Sequence, residues 1–236
     1  MKSKLILGLG ISLGILSACN DNDDFDIKFD AIGDVYVRCQ KIDNEVKYAP
    51  VYFAYSNTYM SEAEVAFSDE DSPVITLKKI GEYARNFSST PSTEDYSTYD
   101  IDNGNYIFSL TSTEAESLKV SDKLLEGRID PIEITKFEYL EENHKMDIEW
   151  NTVENRDIYH ITIATEIDGQ IVFSSEILNE NKLLLNENTP GWDPNYTMKA
   201  GTTYTVSVSA YKFENPNQKS FLHINQESVA YQEIEW

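Results

Sequence analysis

The sequence predicts an all-β protein built as two antiparallel β-sandwiches in tandem, and three observations carry that expectation. Apolar residues alternate with polar ones in short runs: Val51-Phe53-Tyr55, Ala63-Val65-Phe67, Tyr106-Phe108-Leu110, Met146-Ile148-Trp150, Tyr159-Ile161-Ile163 and Tyr204-Val206-Val208. That is the two-residue period of a strand with one buried face. Short strands at intervals of about ten residues, joined by polar turns, are the pattern of a sandwich. The aromatic content is led by 15 Tyr, a residue type that favours strands. Beyond residue 26 no window sustains a 3.6-residue period. Thr113 to Leu125 comes nearest, with Thr113 and Glu116 spaced as a capping box. Its apolar positions Leu118, Val120 and Leu124 fit a strand at least as well. Asp168-Gly169, between two alternating runs, is a two-residue hairpin signal.

The elements in chain order begin with an export signal. Lys2 and Lys4 precede an apolar or small-residue stretch of twelve, Leu5 to Leu16. As a helix it would span about 18 Å, too short for a bilayer core of about 30 Å. The stretch closes on Leu16-Ser17-Ala18-Cys19, which resembles the lipobox of bacterial lipoproteins. The resemblance implies that the Cys19 thiol takes a diacylglycerol, that residues 1–18 are cut away, and that the freed amine is acylated. Removing those 18 residues, two lysines among them, leaves 218 residues and moves the net charge from -22 to -24. Several acyl chains at about 0.8 kcal/mol per buried CH₂ make a lasting anchor. Residues 19–26 then form an acidic flexible tether, too polar to bury surface. Asp21, Asp23 and Asp24 lack the Gly and distal Glu of an EF-hand loop. Acidic residues directly after the lipidated Cys resemble the export signal of surface lipoproteins in glycan-importing Gram-negative bacteria. That implies an outer-membrane protein exposed at the cell surface, with the direction the anchor faces left open.

The segment 131–236 is the more specific half. Trp150, Tyr159 and the Gly201-Thr202-Thr203-Tyr204 entry to a long alternating run resemble a fibronectin type III domain. The resemblance implies that Trp150 anchors the core from the second strand and that Tyr159 opens the third. It also implies that Tyr204 supplies the tyrosine-corner hydroxyl, with Met198 where Leu is usual. The connection Asn186 to Tyr196 is longer than that family normally carries. In the first half, 27–128, Asp102-Asn103-Gly104-Asn105-Tyr106 echoes this entry, and Tyr106 precedes Tyr204 by 98 residues. We read it as a divergent immunoglobulin-like module, a different sandwich topology being the alternative. The junction Gly127-Arg128-Ile129-Asp130-Pro131 is short and predicts a defined angle between modules.

Composition narrows the function. Forty-one acidic against 19 basic residues argue against nucleic-acid binding, which needs clustered cations. With Cys19 lipidated, Cys39 has no intrachain partner, and its parity with Val35 and Val37 makes it a small core residue. His144, His160 and His223 stand 16 and 63 residues apart, offer no zinc spacing, and read as solvated surface residues. No nucleophile elbow, phosphate loop or dinucleotide glycine pattern occurs. Glu62 with Glu64, or Glu141 with Glu142, read as solvated acidic faces rather than an acid/base pair. No catalytic centre, metal site or cofactor is expected.

The candidate ligand-binding residues are Trp192, Asp193, Asn195 and Tyr196, in the long loop. Two readings stand: Trp192 stacks on a sugar ring while its polar neighbours take the hydroxyls, or it folds back over the end of the core. Tyr96 and Tyr99 beside Asp100 and Asp102 are a weaker candidate, and Asp100-Asp102-Asn103 reads as a polar turn more than a calcium site. The expectation is a non-catalytic lipid-anchored binding or accessory module for glycan uptake or adhesion, with a polysaccharide or envelope protein as partner. The rival is a spacer or envelope-assembly protein making protein contacts only. A small glycoside hydrolase rests on nothing beyond abundant carboxylates.

Overall fold

The computed structural model describes residues 28–69, 71–81, 84–141, 144–167, 169–217 and 220–236. The signal segment, Cys19, the acidic tether, Glu142 and Asp168 of the hairpin signal lie outside the described residues. Fifteen strands and one 3₁₀ turn, Thr93–Asp95, make up the regular structure among those described. No helix of the described residues is long and apolar enough to cross a membrane.

The first sandwich contains β1 (Ala31–Ile42), β2 (Glu45–Ser56), β3 (Met60–Phe67), β4 (Ile75–Thr76), β5 (Lys78–Lys79), β6 (Asn86–Ser89), β7 (Gly104–Ser112) and β8 (Ser117–Leu124). One layer runs β1-β2-β6-β5 and the other β4-β3-β7-β8. Lettered in chain order with β4 as C′, these are the A-B-E-D and C′-C-F-G sheets of an immunoglobulin-type sandwich. β1 turns into β2 through Asp43 and Asn44, both at positive φ (53° and 65°), the type I′ geometry that matches strand twist. Met60, Val65, Phe87, Phe108 and Leu110 fill the core between the layers. In β2 the residues that face this core are Tyr52 and Ala54, while Tyr55 is exposed. The Val51-Phe53-Tyr55 parity therefore points away from it. Large apolar residues occupy both parities there, so alternation alone cannot choose the face. Thr113 to Leu125, the nearest approach to a helical pattern, is a turn followed by β8. Leu118 and Val120 of β8 pack on the core at strand spacing.

The second sandwich has β9 (Ile134–Leu140), β10 (Lys145–Trp150), β11 (Ile158–Ala164), β12 (Ile171–Ser174), β13 (Lys182–Leu185), β14 (Thr203–Phe213) and β15 (Ile224–Glu235). β13-β10-β9 faces β12-β11-β14-β15, the three-on-four layering that the fibronectin type III resemblance implies. Trp150 lies edge-on to Tyr159, ring centroids 5.4 Å apart, at the centre of this core. The Tyr204 hydroxyl accepts the Lys199 N–H at 2.9 Å, closing the tyrosine corner. In the first sandwich the Tyr106 hydroxyl donates to the Asp102 carbonyl at 3.0 Å, so the echo between halves is a shared structural device.

The two sandwiches are fused edge to edge. β1 pairs in parallel with β15, through Val37 with Gln226, Arg38 with Glu227 and Cys39 with Ser228. This makes a single eight-stranded sheet, β12-β11-β14-β15-β1-β2-β6-β5. The short junction lies against the same seam. The Gln226 side chain accepts the Ile129 N–H and donates to its carbonyl, at 2.6 and 3.1 Å. Asn225 accepts the Leu125 N–H and Ser228 the Ile132 N–H, both at 2.8 Å. Arg128 reaches back to Asp100, Asn103 and the carbonyls of Ile101 and Leu125. Its guanidinium thus engages side-chain oxygens of Asp100 and Asn103 in that turn. Cys39 is buried in this seam and accepts a hydrogen bond from Gln226 Nε2 at 3.1 Å.

Candidate functional site

The long connection between β13 and β14 carries all four candidate residues, and the chain is held there by backbone contacts to β12. Gly191 makes this approach: it sits at φ +120°, where a Cβ would stand 2.1 Å from the Ser174 carbonyl oxygen. Its own carbonyl accepts the Ser174 N–H at 3.0 Å, and the Asp193 N–H donates to Val172 at 2.9 Å. Trp192 is thereby laid on the core. Its ring centroid is 4.8 Å from Phe173 and 5.5 Å from Trp236, and its Nε1–H donates to the Asn186 carbonyl at 2.9 Å. Tyr196 packs edge-on to Tyr204, hydroxyls 3.3 Å apart. Asp193 caps the Asn195 N–H at 2.9 Å, and Asn195 is exposed. The loop thus brings Trp192 and Tyr196 against the core, with Asp193 and Asn195 towards its rim.

Beside this loop the same end of the sandwich opens into a cleft of about 930 Å³, at the upper end of the about 300–1,000 Å³ typical of ligand sites. Its walls include Tyr139 of β9, Met146 of β10, His144 of their turn, Asn186 and Asn188 after β13, and Trp236. Tyr139 is 56% exposed and Trp236 39%, large aromatic surfaces that the described residues leave open. His144 takes positive φ (51°) in the turn, and its Nδ1 lies 3.0 Å from the Tyr139 hydroxyl, orienting that ring. Trp236 is braced from behind by Trp192 and from below by two backbone bonds, to Gly201 and Thr202. Tyr139 and Trp236 carried no motif in the sequence, because Tyr139 lies on β9 and Trp236 follows β15, and the two come to one cleft from distant parts of the chain.

Elsewhere the polar residues settle into structural roles. Tyr99 is 82% exposed, but the Asp100 and Asn103 beside it are taken by Arg128. His160, expected on a solvated face, is half-buried: Phe221 covers it at 5.6 Å and Ser174 Oγ lies 3.0 Å from Nε2. Burial lowers its pKa below the usual histidine range. Glu62 and Glu64 lie on β3 opposite Thr111 and Ser109 of β7. One carboxylate group stands apart from this pattern, Asp34, Asp122 and Glu214, which converge at the seam.

The strand orders, the two tyrosine corners and the terminal cleft define an all-β protein of immunoglobulin-like and fibronectin type III-like sandwiches in tandem. No family model matches the chain, and no curated protein is similar to it at a significant level. Among solved structures it is similar to a crystal structure of a tetra-tandem repeat in the extending region of a large adhesion protein. The identity is 14% and the TM-score 0.24, over 86% of this chain and 49% of that one. The chain therefore spans about half the length of that structure.

Proposed function

We propose that the chain is a non-catalytic, lipid-anchored outer-membrane lipoprotein, displayed at the cell surface as a binding or accessory module for glycan uptake or adhesion. The observation that carries this reading is the cleft at the end of the second sandwich. Tyr139 on β9 and Trp236 just after β15 present exposed aromatic surface, and the amides of Asn186 and Asn188 stand beside them. Aromatic faces stack on the C–H faces of sugar rings, while amides pair with hydroxyls, the combination that a polysaccharide segment requires. Trp192 enters as the support of Trp236 rather than as the stacking surface itself.

The test is binding of the protein to a panel of polysaccharides. Saturable binding to at least one is expected, weakened about tenfold by Tyr139→Ala with the melting temperature little changed, and weakened likewise by Trp236→Ala. Trp192→Ala should lower binding and stability together, since it uncovers Phe173. Indifference to every glycan, with capture of an envelope protein through the sheet faces, would replace this reading by the spacer role. The anchor has its own test: Cys19→Ala should leave an unprocessed precursor and release the protein from the lipidated membrane fraction. Unchanged fractionation would reject the lipobox.

A further inference from the structure

We propose that Asp34, Asp122 and Glu214 form a site for one divalent cation of calcium's size, set in the seam between the two sandwiches. Asp34 lies on β1 and Asp122 on β8, both of the first sandwich, whereas Glu214 follows β14 in the second. One carboxylate oxygen from each lies within 4.8 Å of the other two. Calcium holds its oxygens at about 2.3–2.6 Å in flexible geometry and takes several carboxylates at once, so three oxygens this close can share one such ion. Magnesium demands a near-ideal octahedron and keeps several of its waters, so a buried set of three carboxylates suits it less.

The independent observation is that buried oxygens here lack partners. Asp34 is 1% exposed. Its Oδ1 accepts the Ile224 N–H at 3.2 Å, but its Oδ2 is buried with no hydrogen bond, as is Glu214 Oε1. A buried carboxylate oxygen without a donor is costly, and such an atom calls for a counter-ion. Asp122 is already aimed, because its Oδ2 accepts the Val35 N–H at 2.7 Å. Among the described residues no Lys or Arg forms an ion pair with the three. Their basic neighbour is His223, whose Nδ1 is 3.7 Å from Glu214 Oε2. Burial first, and then the charges of Asp122 and Glu214, push Asp34 up to about 9. Burial and Asp122 likewise push Glu214 up to about 8. A divalent cation relieves both effects at once, and it ties β1, β8 and the chain after β14 into one unit.

The experiment uses the full chain, stripped with chelator and titrated with calcium chloride up to about 10 mM, beyond the about 10⁻⁴–10⁻³ M of weak extracellular calcium modules. Calorimetry should give one saturable site, and the melting temperature should rise with calcium and less with magnesium. Asp34→Asn and Glu214→Gln should each weaken binding at least tenfold and abolish the calcium-dependent rise. Without calcium both should melt at or above the wild-type temperature, since each removes a crowded acid. If Asp34→Asn does not fold, Glu214→Gln decides, its side chain being 20% exposed. No heat and no thermal shift in the wild type would overturn the site. So would variants that respond to calcium like the wild type, which would place the ion elsewhere on the acidic surface. A magnesium response equal to calcium's would overturn the preference for calcium.

Discussion

Gly33 marks how closely β1 approaches the facing sheet. A Cβ built there would stand 2.3 Å from the Phe108 ring, and Phe108 is fully buried with no room to withdraw. Gly33→Ala is expected to cost about 1–3 kcal/mol, the usual penalty of overpacking a filled core. It should appear as a lower urea midpoint with an unchanged slope. The corner tyrosines make a second comparison at this scale. Tyr204→Phe removes the acceptor of the Lys199 N–H and the partner of the Tyr196 hydroxyl, and should cost about 1 kcal/mol. Tyr106→Phe removes a donor to Asp102 alone and should cost no more than that. A Tyr106→Phe loss well above the Tyr204→Phe loss would mean that the two corners do different work.

Among the elements, β15 was the least legible from sequence. Asn225-Gln226-Glu227-Ser228 is a polar run with no apolar period, the pattern of an exposed turn, yet all four are buried. They are buried because β15 lies at the centre of the eight-stranded sheet, where side chains satisfy the junction backbone on one face and Arg38 on the other. Single-strand patterns report burial on one's own core, and cannot report a second sandwich closing over the edge. By contrast Trp150, Tyr159, Tyr204 and Tyr106 were placed correctly, since each depends on spacing within one module. The cleft was invisible for the same reason as the seam: Tyr139, Asn186 and Trp236 meet only after three separate strands assemble. The seam's chief polar contact is Arg38 Nε to Glu227 Oε2 at 2.7 Å, with Ser209 and Tyr211 donating to Oε1 at 2.9 and 2.7 Å. Burial alone would push the Glu227 carboxyl up, but Arg38 and these donors outweigh it and hold it below its ordinary 4.5. A depressed acid stabilises fully above the unfolded value and loses that contribution as pH falls through the folded one. Stability should therefore fall on acidification below about pH 4.5, and the Glu227→Gln variant should show a flatter acid limb. Removing either partner alone should cost about 3–5 kcal/mol, whereas Arg38→Met with Glu227→Leu should recover most of that loss.

At the scale of the whole molecule there are two cores and one continuous sheet, and the sheet decides how the protein unfolds. Beads on a string would melt independently, because a flexible joint transmits no free energy. Here β1 is hydrogen-bonded to β2 on one side and β15 on the other, so opening either sandwich strips partners from a buried strand of the other. It also exposes Arg38 or Glu227 without its counter-charge and leaves Gln226 without the junction backbone. The free energy of that exposure is shared by both halves and couples them. Calorimetry of the intact protein should accordingly give a single transition whose van't Hoff and calorimetric enthalpies agree. Glu227→Ala, which removes the partner of Arg38 across the seam while leaving both hydrophobic cores untouched, should separate the curve into two transitions, the first sandwich no longer held by β15. Two transitions already present in the wild type would mean that the parallel β1–β15 pairing contributes little. One transition persisting in Glu227→Ala would place the coupling in the junction bonds of Asn225, Gln226 and Ser228 instead.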